Sequence, residues 1–222
     1  FLEPFVDEFS IEFINSRIWN SICCRLVKRR SETNVSEEGR YKKKYQDFEY
    51  KKGEEFQGIL RHLTKKTGGN IHDNQTINIT SNSIDGSCHP KNLVDYENTN
   101  CYHSRDDGGA FICFDFKEMS VNLESYSIQS RNYSENNIHL KNWVIEVSSD
   151  NEHWIEVDRR ENDSTLRGPN FKSNFVLKNP SNTFTRYIRL RQTGNSWWNS
   201  NNHNYIGFCF IEFYGKLQDP SK

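Results

Sequence analysis

Residues 140–157 read LKNWVIEVSSDNEHWIEV, and this stretch decides the fold. Trp143, Ile145 and Val147 fall at every second position, the period at which a β-strand sends side chains to one face. At 148–151 the run is broken by SSDN, whose short polar side chains can satisfy and shape a tight turn. WIEV follows, with Trp154 placed to cover the open end of a core. The unit is therefore strand, turn, strand.

Working outward, the same alternation recurs. Ile77 and Ile79 alternate with polar residues in TINIT, and in FICFDFK the set Ile112, Phe114, Phe116 opposes Phe111, Cys113, Asp115. Tyr126 and Ile128 alternate in YSIQS. Ile188 and Leu190 oppose Arg189 and Arg191 in YIRLRQ, and Cys209, Ile211 and Phe213 share one face of FCFIEFYG. Half-buried antiparallel strands have this period, so a sandwich or barrel is the expected architecture. Ahead of the strands, Phe56, Ile59, Leu60 and Leu63 predict a helical turn or two, ended by Gly68 and Gly69. A chain of 222 residues with 34% hydrophobic and 14% aromatic residues has room for one ring-rich core plus an appendage, but not for two full sandwiches.

The order of these pieces is itself informative. ITSNS, GGAFICFDFK, VNLESYSIQS, LKNWVIEVSSDNEHWIEV, FTRYIRLRQTG and IEFYGKL, in that sequence, resemble the discoidin domain, also called the coagulation factor V/VIII type C domain. The resemblance runs from about residue 56 to 217. It implies an all-β jelly-roll β-sandwich of the galactose-binding-like fold, here behind a short N-terminal helical segment. Arg186, Arg189 and Arg191 beside such a core suggest guanidinium groups paired with carboxylates or stacked on rings, and for Arg186 and Arg189 a structural role is the expectation.

Residues 1–27 carry apolar side chains at helical spacing, at Phe9, Phe13, Ile14, Ile18, Ile22 and Leu26, and INSRIWNSICCRLV resembles the last helices of a BACK domain. Residues 28–55 are dense in both signs of charge and read as a linker. Tyr41, Tyr45 and Phe48 also fall at i, i+4, i+7, which leaves a docked short helix open as the alternative. Residues 218–222 read as a tail.

Lys and Arg nearly balance Asp and Glu, giving a net charge of −1 and no long-range field to steer the molecule toward nucleic acid. No apolar run approaches the roughly 20 residues of a membrane-spanning helix. The six cysteines, Cys23, Cys24, Cys88, Cys101, Cys113 and Cys209, show no small-scaffold disulfide spacing. Secreted discoidin domains usually join their two ends by a disulfide, and no cysteine lies between Lys28 and Ser87 to pair with Cys209. Reduced thiols and a cytoplasmic location are therefore expected, as in relatives where such a domain follows BTB and BACK domains. That resemblance implies a protein partner, including the substrate of a ubiquitin ligase.

In jelly rolls the loops at one end are held rigidly by the strands and are free to vary. Four loops qualify: SIDGSCHPKN, ENTNCYHSRDDGG, SRNYSENNIHLKN and TGNSWWNSNNHN. His89, Tyr102, His103 and Arg105 form the first candidate binding surface, with Tyr133, His139, Trp197 and Trp198 added from the later loops. Rings and amides together suit sugars as well as peptides, so a carbohydrate-binding or lipid-binding lectin-like domain is the alternative to protein recognition. Cys88, His89, Cys101 and His103 form a zinc-like set, but adjacent Cys88 and His89 would have difficulty reaching one metal. Asp106 and Asp107 could favour calcium, although a solvated turn explains them as well. No metal and no cofactor are assigned. No Ser–His–Asp set or phosphate loop stands out, so no catalytic residue is assigned and binding is the expected activity.

Overall fold

The computed structural model describes residues 45–97, 100–134, 137–198 and 203–220. The helical, BACK-like reading of residues 1–27 and most of the linker reading lie outside them. The described residues fall in one compact unit that begins at Tyr45.

Among the described residues the chain forms eleven strands and one α-helix. A four-stranded sheet has the order β1 (Gln46–Phe48), β11 (Phe210–Gln218), β5 (Ser120–Gln129), β8 (Lys172–Val176). A five-stranded sheet has the order β2 (Asn78–Ser81), β4 (Phe111–Asp115), β9 (Tyr187–Gln192), β6 (Trp143–Ser148), β7 (Ile155–Arg160). Two short strands, β3 (Tyr102–His103) and β10 (Gly207–Phe208), make a separate ribbon. Every pairing is antiparallel. This is the expected all-β jelly-roll sandwich.

The core lies between the two larger sheets. Phe114 of β4 meets Phe213 of β11 edge-on at 5.0 Å, and Trp143 of β6 meets Phe175 of β8 at 5.4 Å. A buried polar chain also joins the layers: Trp143 Nε1 donates to Tyr126 Oη at 2.9 Å, and Tyr126 donates to Asp158 at 2.7 Å. In β9, Ile188 and Leu190 face the core while Arg189 and Arg191 face out, as the alternation requires. Strand β6 departs from it, being buried on both faces. On its outer face Val144 and Ser148 are buried beside Glu146, whose carboxylate is covered by Arg189 and Arg191 at 2.8 and 2.7 Å. Arg186 grips Asp115 with two hydrogen bonds of 2.6 and 2.9 Å. Trp154 does not cap the core; it is half-buried, with the Arg189 guanidinium 3.9 Å above its ring and the ring of Tyr187 beside it.

Two boundaries differ from the sequence reading. Residues 46–48, within the stretch read as a linker, pair with β11 as an edge strand, so Tyr45 and Phe48 belong to extended chain and its flank rather than to a docked helix. Strand β11 also runs through Gln218, into the stretch read as a tail.

The helix α1 (Ile59–Thr67) buries Ile59, Leu60 and Leu63 and ends at Gly68, at φ 73°. Its start is satisfied from a distance. Glu212 of β11, fully buried, accepts the backbone N–H of Leu60 at 2.7 Å, of Arg61 at 2.9 Å and of Phe213 at 2.8 Å, and the hydroxyl of Tyr96 at 3.2 Å. The first N–H groups of a helix have no partner within it, and here a carboxylate supplies one. Gly58 allows the approach, because a Cβ there would lie 2.3 Å from the Phe213 carbonyl oxygen. Burial nevertheless pushes the Glu212 carboxyl up to about 7, against the pull of its hydrogen bonds.

Candidate ligand-binding site at the loop end

Strands β5 and β11 pair so that Gln129 sits opposite Phe210, and the loop after β5 therefore emerges beside the segment that leads into β11. The β3–β10 ribbon, with His103 opposite Gly207, closes the same end. Here a cavity of about 370 Å³ is lined by Arg131, Asn132 and Tyr133 from the loop after β5, by Asn100 and Cys101 ahead of β3, and by Ser87, Cys88 and Asn92. Donors and acceptors of several kinds converge on it.

Arg131 is its charged member. It donates to the Tyr133 hydroxyl at 2.9 Å and lies 4.5 Å from the centre of the Tyr133 ring, which is itself 42% exposed. Its stem runs over Gly207, where an added Cβ would meet Arg131 Cδ and Ile138 at 3.1 Å. A side chain at this position would require these neighbours to shift by a few tenths of an ångström.

From His103 of the β3–β10 ribbon runs a series of rings. His103 stacks on Tyr205 at 5.2 Å, Tyr205 stacks on His203 at 5.7 Å, and Trp198 lies 6.0 Å from both His203 and Tyr205. Asp106 fixes this series by accepting from His203 Nδ1 and from the Asn204 N–H, both at 2.5 Å, and the His203 bond holds its carboxyl below the usual range. His103 pairs Nδ1 with Asp85 at 3.2 Å, while its Nε2 is buried without a hydrogen-bond partner among the described residues. Burial first, and then the charge of Arg131, lower the His103 pKa and favour the neutral ring.

The residues singled out in the sequence divide into three groups. Tyr133, His103 and the exposed Trp198 border this end of the molecule. Two others are structural. Tyr102 is fully buried and donates to the Ser83 carbonyl at 2.6 Å. His139 is also fully buried, with Nε2 held 2.9 Å from the Ser134 carbonyl, so it shapes the loop that carries Arg131 and Tyr133. Neither presents a surface to a ligand. Trp197 is a brace as well: it donates to the Asp163 carbonyl at 2.9 Å and is flanked by Lys141 and Arg167. Of the remaining two, Arg105 is exposed and is not among the residues lining the cavity, and His89 lines a second cavity of about 430 Å³ with His72, Asp73 and Lys91. The sequence reading did not single out Arg131, Asn92, Asn100, Asn132, His203 or Tyr205. The available signal was an arginine directly after the YSIQS strand with a tyrosine two residues on.

The cysteine reading needs correction. Cys101 and Cys209 form a disulfide, with Cα atoms 4.0 Å apart. The β3–β10 ribbon explains it, since Tyr102 pairs with Phe208 and the next residues out face one another. Cys209 is therefore not a free strand thiol, and the premise behind a reduced, cytoplasmic protein is removed for this pair. The zinc-like set is dissolved too, because Cys101 is bonded and Cys88 and His89 line different cavities. Asp107 accepts from the Ser83 hydroxyl at 2.8 Å, so the Asp106–Asp107 pair is spent on protein groups. Among the described residues no cluster of three His, Cys, Asp or Glu is placed to hold a metal.

An antiparallel sandwich that gathers a polar, ring-bordered cavity from the loops at one end has the architecture of a recognition domain. Residues 76–207 match the model of the F5/8 type C domain, and the chain belongs to that family. The fold is shared with CBM32-3 from a family 31 glycoside hydrolase of Clostridium perfringens, at TM-score 0.52 and 22% identity over 64% of this chain and 93% of that one. It is shared as well with a fucolectin from striped bass (Morone saxatilis) serum, at TM-score 0.50 and 19% identity over 69% of this chain and 49% of that one. In sequence, 133 residues are 29% identical to the E3 ubiquitin-protein ligase hecd-1 of Caenorhabditis elegans; they are 59% of this chain but 5% of that relative.

Proposed function

We propose that the loop end is a carbohydrate-binding site and that the domain acts by binding. The observation that carries this reading is the cavity of about 370 Å³ in which asparagine amides and the Arg131 guanidinium converge beside the exposed ring of Tyr133. A sugar presents hydroxyls that need donors and acceptors, and C–H faces that stack on rings. The cavity supplies the first, and the exposed Tyr133 ring that lines it supplies the second, with Trp198 exposed at the far end of the ring series that starts at His103. The volume sits at the lower end of small-molecule sites, roughly 300–1,000 Å³, which suits one sugar unit. The fold shared with a fucolectin and with CBM32-3 supports the same reading.

The test is a glycan array followed by calorimetric titration of the best binder. Tyr133→Ala and Trp198→Ala should each weaken binding by about tenfold with unchanged melting temperatures. If no glycan binds, the reading fails.

A second reading is recognition of a protein partner within a ubiquitin ligase, and its support is the identity to a segment of hecd-1. It predicts that the same loop variants lose a protein ligand while binding no sugar.

A further inference from the structure

We infer that the loop-end site selects an acidic sugar, with Arg131 receiving the carboxylate of a hexuronate unit; this rests on the carbohydrate reading above. Five arginines on or beside the strands are each paired with a carboxylate. Arg186 is paired with Asp115, Arg189 and Arg191 with Glu146, Arg160 with Asp158, and Arg159 with Glu156. Arg131 differs. Its hydrogen-bond partner is a neutral phenol, and it has no carboxylate partner among the described residues. The described residues lining its cavity are amides, a hydroxyl, sulfur atoms and the Tyr133 ring, with no acidic side chain.

A guanidinium that is held in place yet not neutralised favours an anion, and its planar fork matches a carboxylate through two parallel hydrogen bonds. Arg131 is held in place: the Tyr133 ring lies on one side, Gly207 leaves space for the stem, and the Tyr133 hydroxyl takes one Nη2 hydrogen. Its other N–H groups make no hydrogen bond to the described residues. The neighbouring ring, His103, has its Nε2 buried without a partner among the described residues, a second unmet polar group at the same end. With a carboxylate on Arg131, the sugar hydroxyls fall to Asn92, Asn100 and Asn132. A neutral hexose meets the same amides but leaves the charge unanswered.

The experiment titrates the whole chain at low salt with galacturonic and glucuronic acids, their methyl esters, galactose, a sulfated galactose and acetate. The acid and its ester differ only in the charged group, so their ratio isolates it. A uronate should bind roughly tenfold or more above its ester, and the Arg131 Nε–H resonance should shift on binding. Arg131→Gln should remove the preference. Equal affinity for acid and ester overturns the inference and leaves the carbohydrate reading standing. Acetate binding as tightly as the uronate, or the sulfated sugar binding more tightly, overturns it as well. A preference that survives in Arg131→Gln overturns the assignment to Arg131. If no sugar in any form binds, and none binds on the glycan array, the carbohydrate reading falls and takes the inference with it.

Discussion

Glu212 is the residue on which the junction of helix and sheet turns. One carboxylate meets three backbone N–H groups and a tyrosine hydroxyl in full burial, so truncating it strands all four. Glu212→Ala should lower stability by roughly 3–5 kcal/mol, seen as a lower denaturation midpoint in urea. The pH dependence follows from the same burial. An unfolded glutamate loses its proton near 4.5, whereas the folded one keeps it to about 7, so between these values the folded state binds the additional proton. The stability from this group is complete below 4.5 and is lost as pH rises through about 7. Glu212→Gln cannot titrate, and the difference in stability between native chain and variant should change by on the order of 3 kcal/mol across that window, measured by urea unfolding. The terminal EFYG motif was legible as a resemblance, but its role was not. Sequence pattern shows that Glu212 interrupts an apolar face; it does not show that a helix 151 residues earlier waits for that carboxylate.

At the scale of elements, strands with long alternation were readable and short ones were not. Strands β4, β5, β6, β9 and β11, and helix α1 with its glycine end, follow from hydrophobic period alone. Strand β1 is three residues, QDF, with no alternation to detect, and its identity comes from the free edge of β11. A chain begun at Tyr45 should therefore melt higher than one begun at Tyr50, because the second exposes that edge. Strands β3 and β10 have two residues each, too few for a period, and they bring Cys101 and Cys209 together across 108 positions. No local spacing could announce that bond. Closing so long a loop is worth about 2–4 kcal/mol. Replacing both cysteines by serine should lower the melting temperature by roughly 10 °C in calorimetry, and reductant should do the same to the native chain.

For the whole molecule, the ion-pair network on the sheet and the loop-end cavity lie on different residues. The outer face of the five-stranded sheet is held by Glu146 between two arginines, and this network lies on strands rather than in the loops that build the cavity. Glu146→Ala, which leaves both guanidinium groups without their partner, should cost about 2 kcal/mol of stability and leave glycan affinity unchanged when measured well below the melting transition. Which loops gather was readable once the strand order was recognised. Which side chains line the cavity was not, because Tyr102 and His139 turn inward to hold loop backbone, while Arg131 and Tyr133, on the loop that also carries His139, line the cavity. Sequence gives the loop its chemistry, and the direction of each side chain is decided by partners far along the chain.

The first and last strands of the domain are neighbours, with Gln46 opposite Leu217, whereas the cavity borders the other end of β11 at Phe210. Both ends of the domain thus leave from the pole away from the site, side by side. Such a domain can be spliced into the middle of a longer polypeptide as a side branch, interrupting its host by little more than the distance between two paired strands. Its own two ends do not cross the cavity, and several copies along one polypeptide would engage a repetitive surface together, turning weak single contacts into lasting adhesion.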